Sequence, residues 1–242
     1  MKFDALRRNW NAFGKTDPCW AVATQADKKG NRWDVEEFLE TGRERVAELM
    51  GRIEAAGGCP RGRALDFGSG MGRLTQALAE HFDEAVGVDV AASMVEGARE
   101  INAKGDRVRF VLNEREDLSV LGDDEFDLAF SIIVLQHMEP RYAQAYIGEC
   151  FRVTRPGGLV GLQIPEPLPR QALKAALPEP VLALVRRLRG QSGPVMQMYG
   201  MPRAEVEGLG ARHGGELASV ERMDSAPGET GWFYLWRVGG KG

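Results

Sequence analysis

Five residues in one short stretch have the types and spacing to hold a small charged ligand: Asp66, Gly68, Gly70, Gly72 and Asp89. The three glycines allow a tight turn in which the backbone approaches a ligand without Cβ interference. Asp89 leaves an apolar run, where a carboxylate can accept hydrogen bonds from both hydroxyls of a ribose. Asp66 sits two residues before the first glycine, where it would repel a pyrophosphate and attract an amine. A dinucleotide fingerprint needs glycines at the first, third and sixth positions of the turn. Here the sixth position is Arg73 and the spacing is G-x-G-x-G. The pattern therefore suits an adenosine with a cationic amino-acid tail better than NAD.

The elements that must position these residues are legible around them. Ala64 to Phe67 is a short apolar run broken only by its carboxylate, as for a strand buried on both faces. Leu74, Ala77, Leu78 and Phe82 recur at helical spacing, and Ala85 to Val88 forms a second buried strand ending at Asp89. Upstream, Asp34 to Ile53 predicts a helix with an apolar stripe, capped by Asp34 with Glu37 at the reciprocal position. Ser93 to Lys104 predicts the next helix, Val108 to Leu112 a third strand, Glu125 to Ser131 a fourth and Arg141 to Thr154 another helix. Leu159 to Ile164, Glu216 to Glu221 and Trp232 to Val238 read as the remaining strands, with a final helix starting at Pro202.

Strand, acid, glycine turn, helix and second acid arrive in order, and Leu65-Asp66-Phe67-Gly68-Ser69-Gly70-Met71-Gly72 resembles, without a gap, the first motif of the class I S-adenosylmethionine-dependent methyltransferases. The resemblance implies an α/β fold: a three-layer αβα sandwich with a seven-stranded, mostly parallel sheet whose final strand is antiparallel between two parallel ones. It implies S-adenosyl-L-methionine as cofactor, S-adenosyl-L-homocysteine as product, and Asp66, Phe67, Gly68, Ser69, Gly70, Gly72 and Asp89 as cofactor contacts. Position by position, Glu114 and Arg115 fall where the family holds the adenine, against a plain solvated charge run as the competing reading. Ser131 and Ile132 fall beside the methionine portion. Val90 and Met94 lie just beyond the ribose acid and reach either the adenine face or the ordinary core.

Methyl transfer from a sulfonium needs alignment of the nucleophile and exclusion of water, and a base only for a weakly acidic hydroxyl or a protonated amine. His137 follows a buried strand on the cofactor side and is the candidate base; its alternative role is a backbone hydrogen bond. Tyr199, with Gln163 and Glu139, is a candidate for orienting the acceptor.

The 242 residues suffice for one methyltransferase domain: an arm and helix over 1–57, a cofactor-binding core over 61–164, an insertion over 165–203, and closing elements over 204–242. In the arm, Trp10, Phe13, Trp20 and Trp33 crowd into a polar, poorly periodic segment that forms either a helical lid or an anchor to the core. Seven prolines between 165 and 202 punctuate a cap insertion with two short helical patches, one of them basic over Val181 to Arg189. That patch reads as a solvated cap face before a membrane or anion contact. Pro194 to Tyr199 is placed against the substrate.

The net charge of −4 argues against a general nucleic-acid binder. No stretch approaches a bilayer span, and the first residues lack an apolar signal core, so a cytoplasmic protein is expected. Three scattered cysteines and three histidines give neither a disulfide framework nor metal-ligand spacing. The expectation is a methyltransferase of small molecules, acting on O, N, S or C, as monomer or homodimer. A non-catalytic cofactor-binding module is the alternative. A nucleic-acid or protein methyltransferase ranks lower, because Ser131-Ile132-Ile133-Val134 replaces the Asn/Asp-Pro-Pro-aromatic run of amino-methylating nucleic-acid enzymes.

Overall fold

A computed structural model describes residues 2–167, 193–224 and 230–240. One seven-stranded sheet organises them. Its strands in chain order are β1 (Arg63–Phe67), β2 (Glu84–Asp89), β3 (Val108–Leu112), β4 (Phe126–Ser131), β5 (Thr154–Pro165), β6 (Gly215–Arg222) and β7 (Gly231–Val238). They lie in the order β3-β2-β1-β4-β5-β7-β6. The first five pair in parallel, and β7 runs antiparallel between β5 and β6. The sequence order reverses direction between β1 and β4, which opens a crevice at the carboxyl ends of those strands.

The strand pleat divides the core in two. Leu65, Phe67, Val86, Val88, Val160 and Trp236 face one side, where they pack on α6 (Pro140–Val153) and α7 (Arg203–Arg212). Ala64, Ala85, Leu128, Phe130, Phe233 and Leu235 face the other, under α3 (Val35–Ala55), α4 (Arg73–Leu78) and α5 (Ala92–Glu100). Strands covered on both faces read as near-continuous apolar runs, and the Trp232 to Trp236 run occupies the interior place expected of it.

Asp34 caps α3: its carboxylate accepts from the Glu36 and Glu37 N–H groups at 3.0 and 3.1 Å. The reciprocal half of the capping box is absent, because Glu37 pairs with Lys28 instead. The α5 helix stops at Glu100 rather than running to Lys104. Asn102 ends it, its side chain accepting from the Lys104 N–H and donating to the Gly105 carbonyl.

The N-terminal arm is helical, as α1 (Phe3–Thr16) and α2 (Pro18–Val22), and more regular than its poorly periodic sequence suggests. Phe3, Leu6, Trp10 and Phe13 recur at intervals of three and four and turn one apolar face inward. Polar and charged residues fill most of the rest of α1, so a window average hides that face. The expected helical patches of the insertion, including Val181 to Arg189, lie outside the described residues. Among the described residues, no helix is long and apolar enough to cross a membrane and no cluster of side chains could hold a metal ion.

Candidate active site

The glycine turn is built from backbone. Gly68, Gly70 and Gly72 all have positive φ, at 79°, 51° and 79°. The Gly68 and Ser69 N–H groups both donate to the Val88 carbonyl, at 2.8 and 3.0 Å, which pins the turn to the end of β2. The Asp89 carboxylate closes the link. It accepts from the Gly70 N–H at 2.8 Å and from the Ala91 N–H at 2.9 Å, one on each oxygen. Each oxygen keeps a lone pair for a ligand hydroxyl. Burial holds the Asp89 carboxyl above the usual carboxylate range, against the opposing pull of its backbone hydrogen bonds.

Above the turn lies a cavity that, with the open space at its mouth, encloses about 860 Å³. Phe67, Gly68, Ser69, Gly70, Asp89, Val90, Met94 and Ile132 all line it, so eight of the expected cofactor contacts converge on one space. His137 lines the same cavity.

Five expected contacts lie elsewhere. Asp66 is 1% exposed and accepts from the Thr75 hydroxyl at 2.6 Å, behind the turn. Its burial raises the carboxyl to about 6. Gly72 faces the core: a Cβ there would stand 2.4 Å from the Phe110 ring. The Ser131 hydroxyl donates to the Phe67 carbonyl at 2.7 Å and joins the ends of β4 and β1. Glu114 is exposed and pairs with Arg7 of α1. The Arg115 carbonyl accepts from the Tyr146 hydroxyl. The residue that β3 does deliver to the cavity is Asn113, whose N–H donates to the Asp89 carbonyl at 2.9 Å. Its side-chain amide closes a turn onto the Asp117 carbonyl at 2.7 Å. Its place at the carboxyl end of β3, as Asp89 ends β2, was the available signal.

His137 belongs to a 3-10 turn, Leu135–His137, that follows β4. It is 6% exposed, and burial lowers its imidazole to about 4, so the ring is neutral near pH 7. Nδ1 lies 2.9 Å from the Gln197 carbonyl, which can only accept. Nδ1 therefore carries the proton and Nε2 keeps the lone pair. The Gln136 amide nitrogen stands 3.5 Å from Nε2, and the Trp10 ring meets the imidazole edge-on at 5.1 Å. Tyr199 does not line the cavity. Its hydroxyl donates to the Gln197 side chain at 2.7 Å and its N–H to the Gln136 carbonyl at 2.6 Å, so it braces the segment that orients His137.

The cover over the cavity is α1 and α2, through Phe3, Leu6, Trp10, Ala21 and Val22. Asn9 bonds the Val195 main chain in both directions, at 2.9 and 3.0 Å, and Ser93 of α5 bonds Asn11. Ile133, at φ 60°, turns the chain after β4 into the cavity wall. A β-branched residue rarely adopts that conformation. Gln163 holds it by accepting the Ile133 N–H at 2.9 Å.

These residues fit an adenosine ligand. The anchored carboxylate of Asp89 has unused lone pairs, and the turn keeps side chains out of the cavity: a Cβ at Gly68 or Gly70 would run into Val134 or Val22, at 2.3 and 2.5 Å.

Comparison with known proteins agrees with this geometry. Residues 64–158 match a family model described as a methyltransferase domain. Trans-aconitate 2-methyltransferase of Methylobacterium nodulans is 30% identical over 165 residues, covering 66% of this chain and 56% of that protein. Demethylmenaquinone methyltransferase of Clavibacter sepedonicus is 35% identical over 99 residues, 40% of this chain and 39% of that protein. The chain spans about half the length of the curated relatives it matches. Among solved structures, magnesium protoporphyrin IX methyltransferase from Synechocystis, crystallised with bound SAH, superposes with a TM-score of 0.66 at 19% identity, over 98% of this chain and all of that one. That likeness is one of fold. Residues 64–158 therefore carry a methyltransferase domain, and the motif and strand order around them are similar to those of the class I S-adenosylmethionine-dependent methyltransferases.

Proposed function

We infer that the protein transfers a methyl group from S-adenosyl-L-methionine to an O, N, S or C atom of a small-molecule acceptor. One observation carries this reading: the ribose-binding carboxylate of Asp89 and the unprotonated Nε2 of His137 belong to residues of one covered cavity. When bound, the cofactor supplies an electrophilic methyl group with its leaving group built in. Asp89 would hold the ribose hydroxyls, Asn113 the adenine edge, and the Gly68–Gly70 turn the aminoacyl portion. Asp66 would act from behind the turn as a fixed negative charge. Glu114, Arg115 and Ser131 would support that cradle through the contacts they make with Arg7, Tyr146 and Phe67.

His137 would accept a proton from the acceptor at Nε2 while the Gln197 carbonyl keeps Nδ1 protonated. Tyr199 would serve as a positioning residue for that pair. Phe3, Leu6, Trp10 and Val22 would exclude water from the reacting atoms. The apolar cover favours a compact, largely uncharged acceptor over a nucleic acid. We place the protein in the cytoplasm, as monomer or homodimer. Calorimetric titration with S-adenosylhomocysteine tests the cofactor half, and incubation with tritiated cofactor and a metabolite extract tests transfer. Absence of binding at high micromolar ligand rejects the reading.

A non-catalytic cofactor-binding module is the second reading. The packing of Trp10 on His137 favours it, since the cover then fills the acceptor side. Tight binding of S-adenosylhomocysteine with no label transferred to any metabolite separates it from the enzyme.

A further inference from the structure

Gln163 stands near the carboxyl end of β5, 1% exposed, a polar side chain within an apolar sheet. Burying an amide is costly unless its oxygen and its nitrogen both find partners. Here both partners are backbone. Oε1 accepts the Ile133 N–H at 2.9 Å, and Nε2 makes a longer bond to the Met223 carbonyl at 3.4 Å. These partners fix which end of the amide is which, since an N–H only donates and a carbonyl only accepts. Gly231 leaves the amide its room, for a Cβ there would stand 3.1 Å from Nε2.

The Ile133 bond falls where the β4–β5 ladder ends. Ser131 still pairs with Leu162, but two residues later the chain has left the sheet at φ 60°. A β-branched residue is strained in that region and stays there only when its surroundings hold it. Beyond the bend Val134 packs on Gly68, and its carbonyl accepts the His137 N–H at 2.9 Å. The bend therefore sets where the His137 turn begins, while Gln197 and Tyr199 hold its far end. Gln163 itself does not line the cavity, so it acts through the bend rather than on an acceptor.

We propose that Gln163 is a positioning residue for His137. It takes the backbone N–H that the ladder abandons, holds the left-handed bend, and so seats the imidazole against the Gln197 carbonyl in its Nδ1-protonated form. The functional weight of this rests on the reading of His137 as the base, but the test needs no turnover.

Long-range proton–nitrogen correlation spectra near pH 7 report the tautomer of each of the three histidines, and His137→Asn identifies the signals of His137. The wild type should show a protonated Nδ1 and a bare Nε2. Gln163→Leu, which removes the amide at similar volume, should lose that pattern as Ile133 returns to negative φ and the ring exchanges tautomers. Adding Ile133→Gly should restore it, because glycine adopts φ 60° unaided, and Ile133→Gly alone should leave it unchanged. A wild-type pattern in Gln163→Leu overturns the proposal. So does a double variant that stays altered, since the damage then comes from the lost core amide and not from the bend. Should Gln163→Leu fail to fold, the double variant decides: a folded protein with the wild-type pattern supports the proposal, and a second failure overturns it. Calorimetry keeps the cofactor reading separate. Gln163→Leu should bind S-adenosylhomocysteine within about 3-fold of wild type, and a larger loss would assign Gln163 to the cofactor cradle instead. A wild type that binds none rejects the cofactor and leaves the spectra to judge Gln163.

Discussion

The glycine turn beneath the cavity and the helical cover above it face the same ligand space but are held by different forces. The turn is fixed by backbone: three positive-φ glycines, two N–H groups on the Val88 carbonyl, and a third on Asp89. The cover is fixed by side chains, with Phe3, Leu6 and Phe13 buried and only a few bonds, such as Asn9 to Val195, tying it down. Backbone geometry tolerates few residues at each place, whereas apolar packing accepts many combinations of similar volume. On the proposed reading, cofactor chemistry belongs to the rigid half and acceptor specificity to the adaptable half, as expected where function varies on a shared fold.

The sharpest way to break this contrast is to disturb a glycine. Gly72→Ala puts a Cβ against the Phe110 ring at a φ that L-residues avoid. Left-handed strain and overpacking together predict a loss of about 2–4 kcal/mol in denaturant unfolding. A variant as stable as wild type would show the turn to be as forgiving as the cover.

Next in size is a pH effect at the seam between the halves. His137 has a folded pKa near 4, below its ordinary value of 6.5. Between those values the unfolded chain binds a proton that the folded chain excludes, so this contribution is complete above pH 6.5 and is lost as pH falls toward 4. The stability difference between wild type and His137→Asn should shrink by about 3 kcal/mol over that interval. Taking the difference matters, because Asp66, raised to about 6, slopes the other way in the same range. A difference that stays constant with pH would mean that the imidazole is not buried as described.

Asp89→Ala removes the acceptor shared by Gly70 and Ala91 together with the expected ribose contact. Affinity for S-adenosylhomocysteine should fall by about 1–3 kcal/mol in calorimetry. Unchanged affinity would move the nucleoside to another part of the cavity. The smallest effect belongs to the cover: Arg7→Gln breaks a solvent-exposed pair with Glu114 and should change thermal stability by no more than about 1 kcal/mol. A larger loss would mean that surface charge, rather than the apolar face of α1, holds the cover in place.

Particular residues show where sequence reading reached and where it stopped. The turn was readable because its signals are local: an acid, three glycines and a second acid within 24 consecutive positions, flanked by apolar runs. Asn113 was passed over for Glu114, because a charged residue draws attention while the strand end decides which side chain enters the cavity. The periodicity of α1 was also missed: Phe3, Leu6, Trp10 and Phe13 carry it, but polar residues surround them.

From residue order alone came the identity and sequence of the strands, the glycine turn and the acid that closes it, because backbone conformation and pleat alternation are short-range properties. Which polar groups reach the cavity came only from tertiary packing. The aim of Asp66 at Thr75, the tautomer of His137 and the unpartnered Nε of Arg73 each depend on residues distant in the chain, or on a fold that withholds a partner. Burial, hydrogen bonding and charge are settled by what surrounds a side chain, and those surroundings exist only once the sheet has closed under its helices.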